Sequence, residues 1–457
     1  MKIDNKQKNN GEELKSEESQ SASNGMEKLI SLAKRRGFIF QGSELYGGLA
    51  GTWDYGPLGV MLKKNIENLW WKKFVDGRED IFGLESSVLM SSKVWEASGH
   101  VAGFSDPLVE CTKCKKRFRT DTLEDKSKCP ECEGALGEER QFNLMFKTQV
   151  GAVEDSSSTV YLRPENAQAM FVNYKNVMDS IHPKIPFGIA QIGRAFRNEI
   201  TPRDFTFRTR EFNLMEFEYF VRESEWEKHF EYWREEMLEW MDIVGIDKDL
   251  VHELEVLPED RAHYSKRTID FEFDFPFGRK ELYGLAYRSD FDLKSHMESS
   301  GQSLEYFDDG TGERFVPHAI EPTFGLDRTI LAILVSAYRE DVVAEATEIR
   351  SYLKLDPKVA PVICAVSPLL KNKPELVEKA REVFGLLKTE FGRVMWDDNG
   401  NIGKRYRRQD EIGTPWCIVI DFDTLENDTV TIRERDSGNQ ERFAISQLVS
   451  YIKDRLS

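Results

Sequence analysis

The stretch "GRAFRNEITPRDFTFRTREFNLMEFEY", Gly193 to Tyr219, sets phenylalanines at 196, 205, 207, 212 and 217 among Arg197, Glu199, Arg208, Arg210, Glu211 and Glu216. Charges interleaved with sheet-forming aromatics describe either a strand with one wet face or a sheet whose polar face is a floor for a charged ligand. Further along, "TIDFEFDFPF" alternates cleanly, with Phe271, Phe273, Phe275 and Phe277 on one side and Asp270, Glu272 and Asp274 on the other; this period of two predicts a strand. "STVYLRP", "FGIAQIG", "TFRTREF" and "RFVPHAIEP" read as further strands. Turn signals such as Thr201-Pro202 and Asp309-Gly310 separate elements without a long helix between every pair, which favours an antiparallel sheet over a doubly wound parallel one.

Two helices stand out in this part of the chain. "LKKNIENLWWKKFV" follows the breaker "DYGPLG", and "LDRTILAILVSAY" is apolar nearly all round and therefore predicts a buried helix. Two prolines in "KLDPKVAP" mark a junction. Beyond it the pattern becomes β-α-β-α-β with a hairpin and a last helix, and Leu376, Val377, Ala380, Val383, Phe384, Leu387 and Phe391 form one helical stripe. The expected fold class is α+β: a large antiparallel-sheet unit over residues 26–353 and a compact α/β domain over residues 358–457.

A chain of 457 residues has room for two or three domains, and 40% hydrophobic with 11% aromatic residues describes a globular protein. No apolar run approaches a membrane span, so no membrane partner is expected. Residues 1–25 are polar, lack the basic start and apolar core of a secretory signal, and read as a disordered tail on a cytoplasmic protein. The net charge of −17 argues against nonspecific coating of nucleic acid, but not against a local basic surface. Lys404, Arg405, Arg407 and Arg408 in "GKRYRRQ" are such a concentration, either a solvated helix face or a docking surface.

"CTKC" and "CPEC" place Cys111, Cys114, Cys129 and Cys132 as two pairs with 14 residues between them. Four thiolates satisfy tetrahedral zinc and leave no open position, so the site would be structural. Two disulfides are the alternative, disfavoured where thiols are kept reduced. The pairs lie in a polar segment, which suggests a small zinc ribbon, about residues 108–140, inserted into the larger unit. Cys364 and Cys417 sit in apolar strands and read as core.

"FRNE" followed by a loop and "FRTREF" resembles motif 2 of the class II aminoacyl-tRNA synthetases, and "AIEPTFGLDRTILAILV" resembles their motif 3. At the level of phrases, "RGFIFQGSELYGGLAGTWDYGPLG", "LMFKTQVG", "LRPENAQ", "RSDFDLKSHME" and "IGKRYRRQDEIGTP" resemble the homodimeric glycyl-specific family of that class, from about Met26 onward. The resemblance implies activation of glycine with ATP, transfer to the end of tRNA(Gly), and a homodimer. The C-terminal domain resembles an anticodon-binding domain, which makes Lys404, Arg405, Arg407 and Arg408 the expected tRNA contacts. No protein nucleophile is needed, because positioning and charge stabilisation do the work.

Residue by residue, the resemblance implies Arg197 on the α-phosphate, with Arg328, or Arg208 as a second candidate, on the γ-phosphate; guanidinium suits both roles because its planar fork pairs with phosphate oxygens. Phe212 would stack on adenine, while Asn198 and Glu199 would read its edge and hold Arg197. Arg197, Glu199 and Arg328 are the implied catalytic set. Glu281, beside Leu282, would contact ATP and hold Mg2+. Phe207, Thr209, Arg210, Glu211, Gly325, Leu326 and Asp327 complete the implied ATP site. Glu165, Glu216 and Glu321 match glycine-binding positions, with acids suited to an ammonium. Arg288 and Arg119 match substrate-side arginines, Arg288 on the amino acid's carboxylate. Asn213, Leu214, Met215, Pro322, Thr323 and Phe324 would wall the pocket with Phe212 and Gly325. Thr323 stands where the family's pattern has serine: the hydroxyl is kept and a methyl is added. Motif 1 departs too, since the strand expected near Ser86 to Met90 lacks the class's usual proline. The competing readings are a class II enzyme for another small amino acid and a non-catalytic, synthetase-like RNA-binding protein.

Overall fold

The alternating stretch becomes a strand for the reason its pattern gives. Ile269, Phe271, Phe273 and Phe275 are buried in the core, and Asp270, Glu272 and Asp274 turn to the half-exposed side. A computed structural model describes residues 25–123, 125–152, 158–341 and 349–456. The polar tail expected over residues 1–25 lies, except for its last residue, outside the described residues.

The central sheet is built from β1 (Ile81–Gly83), β2 (Phe187–Phe196), β3 (Glu211–Val221), β4 (Val251–Glu255), β5 (Arg267–Phe275), β6 (Gly278–Ser289) and β7 (His318–Gly325). Their spatial order is β4-β5-β6-β7-β3-β2-β1, and all neighbours are antiparallel except β2 and β1. The helices that accompany it include α1 (Pro57–Trp71), α2 (Ala167–Ile181), α3 (Trp226–Ile243), α4 (Phe291–Ser300) and α5 (Leu326–Ala337). On β3, Met215, Phe217 and Tyr219 join α1, α3 and α5 in one core. Trp70, Phe74, Trp233, Trp240 and Phe324 meet there at ring separations such as 5.3 Å for Phe74 and Phe324 and 4.7 Å for Phe217 and Trp233. Each such pair contributes roughly 0.5–1.5 kcal/mol beyond its burial. Helices α2 and α4 cover only part of the opposite face, through Phe171, Tyr174 and Leu293 against Phe187, Ile189 and Phe220. The uncovered part, which carries the even-numbered Leu214 and Glu216, is the floor of a cavity.

Four expectations shift. In "TFRTREF" only Glu211 and Phe212 belong to a strand; residues 204–207 form a turn. Asp204 and Phe205 take φ of 60° and 56°, which breaks the ladder, and the Arg210 N–H donates instead to the Gly51 carbonyl at 2.8 Å. "RFVPHAIEP" is two strands, because Pro317 has no N–H for a ladder: Glu313–Phe315 pairs with Tyr306–Asp308, and β7 starts at His318. Helix α1 begins at Pro57, earlier than expected, with proline at its first turn. The strand expected near Ser86 to Met90 is Leu89–Ser91, and it pairs with Thr159–Leu162 outside the central sheet.

The C-terminal part runs β8 (Cys364–Pro368), α6 (Pro374–Phe391), β9 (Val394–Trp396), α7 (Ile402–Glu411), β10 (Trp416–Ile420), β11 (Thr429–Glu434) and β12 (Gln440–Ala444), closed by a helix at Leu448–Lys453. The sheet order is β9-β8-β10-β11-β12, with the first three parallel and the hairpin antiparallel. Leu376, Ala380, Val383 and Leu387 seat α6 on it, and Cys364 and Cys417 are buried. Among the described residues, no helix is long and apolar enough to cross a membrane.

Candidate active site and metal-binding module

Sheet register lines the floor's side chains up in rows. Asp270, Gly284, Thr323, Glu216 and Gln191 are successive cross-strand neighbours on β5, β6, β7, β3 and β2. In the next row Thr268, Ala286 and Glu321 are neighbours. Glu218, flanked on β3 by the pairs Glu216–Thr323 and Tyr219–Ile320, continues that row beside Glu321, with Ile189 beyond it. The small residues Gly284 and Ala286 leave the floor open, and above it lies a cavity of about 440 Å³.

One group of charges lining the cavity is acidic. Glu165 comes from the turn before α2, Glu216 from β3 and Glu321 from β7. The Asn166 backbone N–H donates to Glu216 Oε1 at 2.7 Å, and the Thr323 hydroxyl donates to Oε2 at 3.3 Å. Glu165 accepts from Gln168 Nε2 at 3.2 Å and lies 3.2 Å from His100 Nε2. Burial, then the nearby Glu321 and Glu165, push Glu216 up to about 8. Burial pushes Glu321 up to about 7, with Arg288 opposing and Glu165 adding to the rise. Burial also acts on Glu165, but His100 and Arg288 outweigh it and hold that carboxyl well below the usual range. A pocket with this much unneutralised acid is matched to a small cation.

The second group is cationic and aromatic. Arg197 donates from Nε to the Pro164 carbonyl at 3.1 Å, and its guanidinium sits 5.2 Å from the rings of both Phe212 and Phe104. Arg328, from the first turn of α5, lies 4.4 Å over Phe207 and pairs with Glu281 at 3.1 Å. Arg208 pairs with Glu199 at 3.2 Å. Arg328 draws Glu281 below its ordinary range against the pull of burial. Asp270 moves the other way, up to about 7, through burial first and then Glu281 and Glu272. Arginine forks stacked on aromatic faces, with acids beside them, suit a polyphosphate and its counter-ion.

Of the expected site residues, Glu165, Arg197, Glu199, Phe207, Arg208, Thr209, Phe212, Asn213, Leu214, Glu216, Glu281, Leu282, Glu321, Thr323, Gly325, Asp327 and Arg328 line this one cavity. Others do not reach it. Met215, Phe324 and Leu326 point into the helical core, and Pro322 is buried in β7. Arg288 lies wholly buried on the same face of the sheet, beside the cavity and against Tyr264 and Phe171, bonded to Asp292 at 2.8 Å and Glu321 at 2.9 Å, so its guanidinium already has partners. Arg119 belongs to the cysteine module and pairs with Asp106 at 2.8 Å and Asp121 at 2.6 Å. Arg210 holds the Ala50 and Glu199 carbonyls, and Glu211 pairs with Arg194 on the surface. Asn198 is held by its backbone, which donates to the Leu144 carbonyl at 2.7 Å. The sequence did not single out His100, Glu218, Tyr264, Asp270 or Asp292. Two had a readable signal: Glu218 stands two residues after Glu216 on one strand face, and Asp270 lies on the polar side of the alternating strand.

The four cysteines come together with all Sγ atoms within 4.8 Å, as separations of 3.5 Å for Cys111–Cys132 and 3.7 Å for Cys114–Cys129 illustrate. Ligands at about 2.3 Å around a tetrahedral zinc lie about 3.8 Å apart, so the donor set fits. Both pairs sit on the same turn: Cys111 N–H bonds Lys116 O and Cys129 N–H bonds Gly134 O, each at 2.8 Å, with Lys115 and Glu133 at φ near 60°. A side chain on Gly134 would stand 3.2 Å from Cys111 Sγ and 2.8 Å from Lys113 Cβ, so the close approach requires glycine. The small sheet Ser105–Glu110, Arg117–Arg119 and Arg140–Asn143 carries the module.

The expected basic face is corrected at one position. Arg405 is 3% exposed, and its guanidinium is spent on the carbonyls of Gly400, Asp398 and Pro368. Arg408 pairs with Asp397 at 2.6 Å. Lys404 and Arg407 are the exposed members.

A cavity pairing arginine-stacked aromatics with an acid pocket on an antiparallel sheet, followed by a separate α/β domain, defines a class II tRNA synthetase. A family model described as the class II tRNA synthetase core domain (G, H, P, S and T) matches residues 146–337, and one described as an anticodon binding domain matches residues 363–455. The chain belongs, within that class, to the glycine–tRNA ligase family. It is 50% identical to the glycine–tRNA ligase of Thermobifida fusca over 95% of this chain and 99% of that protein. Identity to the enzyme of Alkaliphilus oremlandii is 49% over 94% of this chain and 98% of that protein, and to that of Borrelia hermsii 48% over 94% and 97%.

Proposed function

We propose that this chain is an ATP-dependent glycine–tRNA ligase, and that the cavity on the open face of the sheet is where glycine is activated. The observation that carries this reading is the joint presence of an acid pocket, Glu165, Glu216 and Glu321, and an arginine set, Arg197, Arg208 and Arg328, around about 440 Å³. The acids take the glycine ammonium, and a larger amino acid would have to be excluded by the walls around it. The carboxylate attacks the α-phosphorus of ATP and pyrophosphate leaves; Arg197 balances charge at the reacting phosphorus and Arg328 holds the leaving end. Glu199 keeps Arg208 oriented. The Thr323 hydroxyl fixes Glu216, which is the work the family's serine would do. Glu281 and Asp270 would hold Mg2+, which neutralises phosphate charge when bound; the raised Asp270 fits a group awaiting a cation.

The finer parts of the same proposal are tRNA(Gly) as the RNA, a homodimer, and a zinc ribbon around the four cysteines. Elemental analysis is expected to find about one zinc per chain, and chelation should expose four thiols. The deciding experiment is ATP–pyrophosphate exchange across all twenty amino acids. Glycine should support it, with alanine and serine weaker by on the order of a hundredfold. Equal exchange with alanine would remove the glycine assignment.

A further inference from the structure

Glu218 has no place in the mechanism just described, and its surroundings are unusual. It is wholly buried, and neither carboxyl oxygen has a hydrogen-bond partner. It stands beside Glu321 across the β3–β7 pair and two residues from Glu216 on the same strand face. Carboxylates directly opposite one another repel, and in a buried row that repulsion is not screened by water. The neighbours do not relieve it. Glu321 is taken by Arg288, which also serves Asp292, and Glu216 is taken by Asn166 N–H and the Thr323 hydroxyl.

The charged and titratable groups facing this cluster can be counted element by element. Strand β3 gives Glu216, β7 gives Glu321, and β6 gives Arg288. The turn before α2 gives Arg163 and Glu165, and α4 gives Asp292 and His296. His100 and Tyr264 come from flanking segments. Five acids thus share two arginines. A buried excess of negative charge on this scale is relieved by binding protons.

We propose that Glu218 is a further positioning residue of the amino-acid pocket: it carries a proton in the glycine-free protein, and entry of the glycine ammonium displaces that proton. A neutral Glu218 takes one carboxylate charge out of the row, so that Glu321 and Glu216, themselves raised to about 7 and 8, ionise more readily for the ammonium. Once the ammonium sits among them, the added positive charge lets Glu218 ionise; its O–H bond breaks, the proton passes to buffer, and glycine keeps all three ammonium protons. Burial and the neighbouring Glu321 both raise this carboxyl, in agreement with that state. The inference rests on the glycine reading of the pocket.

Linkage fixes the sign. A binding step that releases a proton tightens as pH rises, by up to tenfold per unit for one proton. The test is calorimetric titration of the intact protein with glycine, without ATP, in phosphate and in Tris at pH 7, together with glycine affinity from pH 6 to 8. The parent should release at least about half a proton per glycine beyond what Glu216 and Glu321 give up, and its affinity should rise with pH. Glu218→Gln, a neutral look-alike of the protonated acid, should release about half a proton or more less than the parent and show a shallower profile, what remains coming from Glu216 and Glu321. Glu218→Leu serves as a second neutral variant if glutamine prevents folding. No proton release from a parent that binds glycine overturns the proposal. So does an unchanged slope in folded Glu218→Gln, which would put the proton on Glu216, Glu321, His100 or His296. A parent that does not bind glycine at all would instead remove the functional reading beneath it.

Discussion

The two domains bury charge in opposite ways. In the C-terminal domain Asp410, 1% exposed, receives two bonds from Arg433 at 2.7 and 2.9 Å and one from Arg350 at 3.0 Å. Arg435 is likewise spent on the Leu355 and Gly413 carbonyls and on Asp436. Each of these buried charges has a partner, and together they clamp α7 and β11 to the segment that enters the domain. Around the cavity on the central sheet positive charge is in deficit: Glu218 has no hydrogen-bond partner, and Glu216 and Glu321 are raised. Burying an ion costs several kcal/mol unless it is paired. A satisfied buried charge is therefore a structural clamp, and an unsatisfied cluster marks where a ligand completes the structure.

The contrast predicts where substitutions act. The largest effect should come from Asp410→Ala, which strands the buried Arg433 and takes one partner from Arg350, whose bonds to Asp341 remain; it should lower stability by about 3–5 kcal/mol in a denaturant melt, and a loss below about 1 kcal/mol would show that the clamp is not what binds the domain. Arg197→Ala and Arg328→Ala should do the reverse. Each should cut glycine-dependent pyrophosphate exchange by roughly a hundredfold or more, with the melt unchanged, because each loses a partner of charge that develops on the phosphates. Arg405→Ala should cost on the order of 2 kcal/mol of stability through lost charged hydrogen bonds. Replacing Lys404 and Arg407 should cost less stability than Arg405→Ala and lower the salt dependence of tRNA binding by roughly one counterion each.

The smallest effect is on pH. Glu216 and Glu321 have folded values near 8 and 7, above the roughly 4.3 of an unfolded glutamate. Between those limits the folded state binds more protons than the unfolded one, so stability falls as pH rises from about 5 to about 8. The melting temperature of the glycine-free protein should decline over that window, and saturating glycine should recover more of it at pH 8 than at pH 6. A glycine-free melt that is flat across the window would show that the acid cluster is not strained.

Much of this molecule could be read along the chain because its signals are local and periodic. The alternation in β5, the all-apolar α5, the stripe on α6 and the paired cysteines each follow from spacing alone, since a strand repeats every two residues and a helix every 3.6. The candidates around Arg197, Glu216 and Arg328 were legible because each sits in a short motif whose neighbouring residues identify it. What the chain could not show depends on register between strands far apart in sequence. Only the pairing of β3 with β7 sets Glu218 beside Glu321, and only packing from elsewhere brings His100 to Glu165. Tertiary structure alone also decided that Arg405 turns inward to carbonyls while Lys404, one position away, faces water. A helix moves a side chain by about 100° per residue, and which of two neighbouring basic residues is buried depends on what packs against the helix.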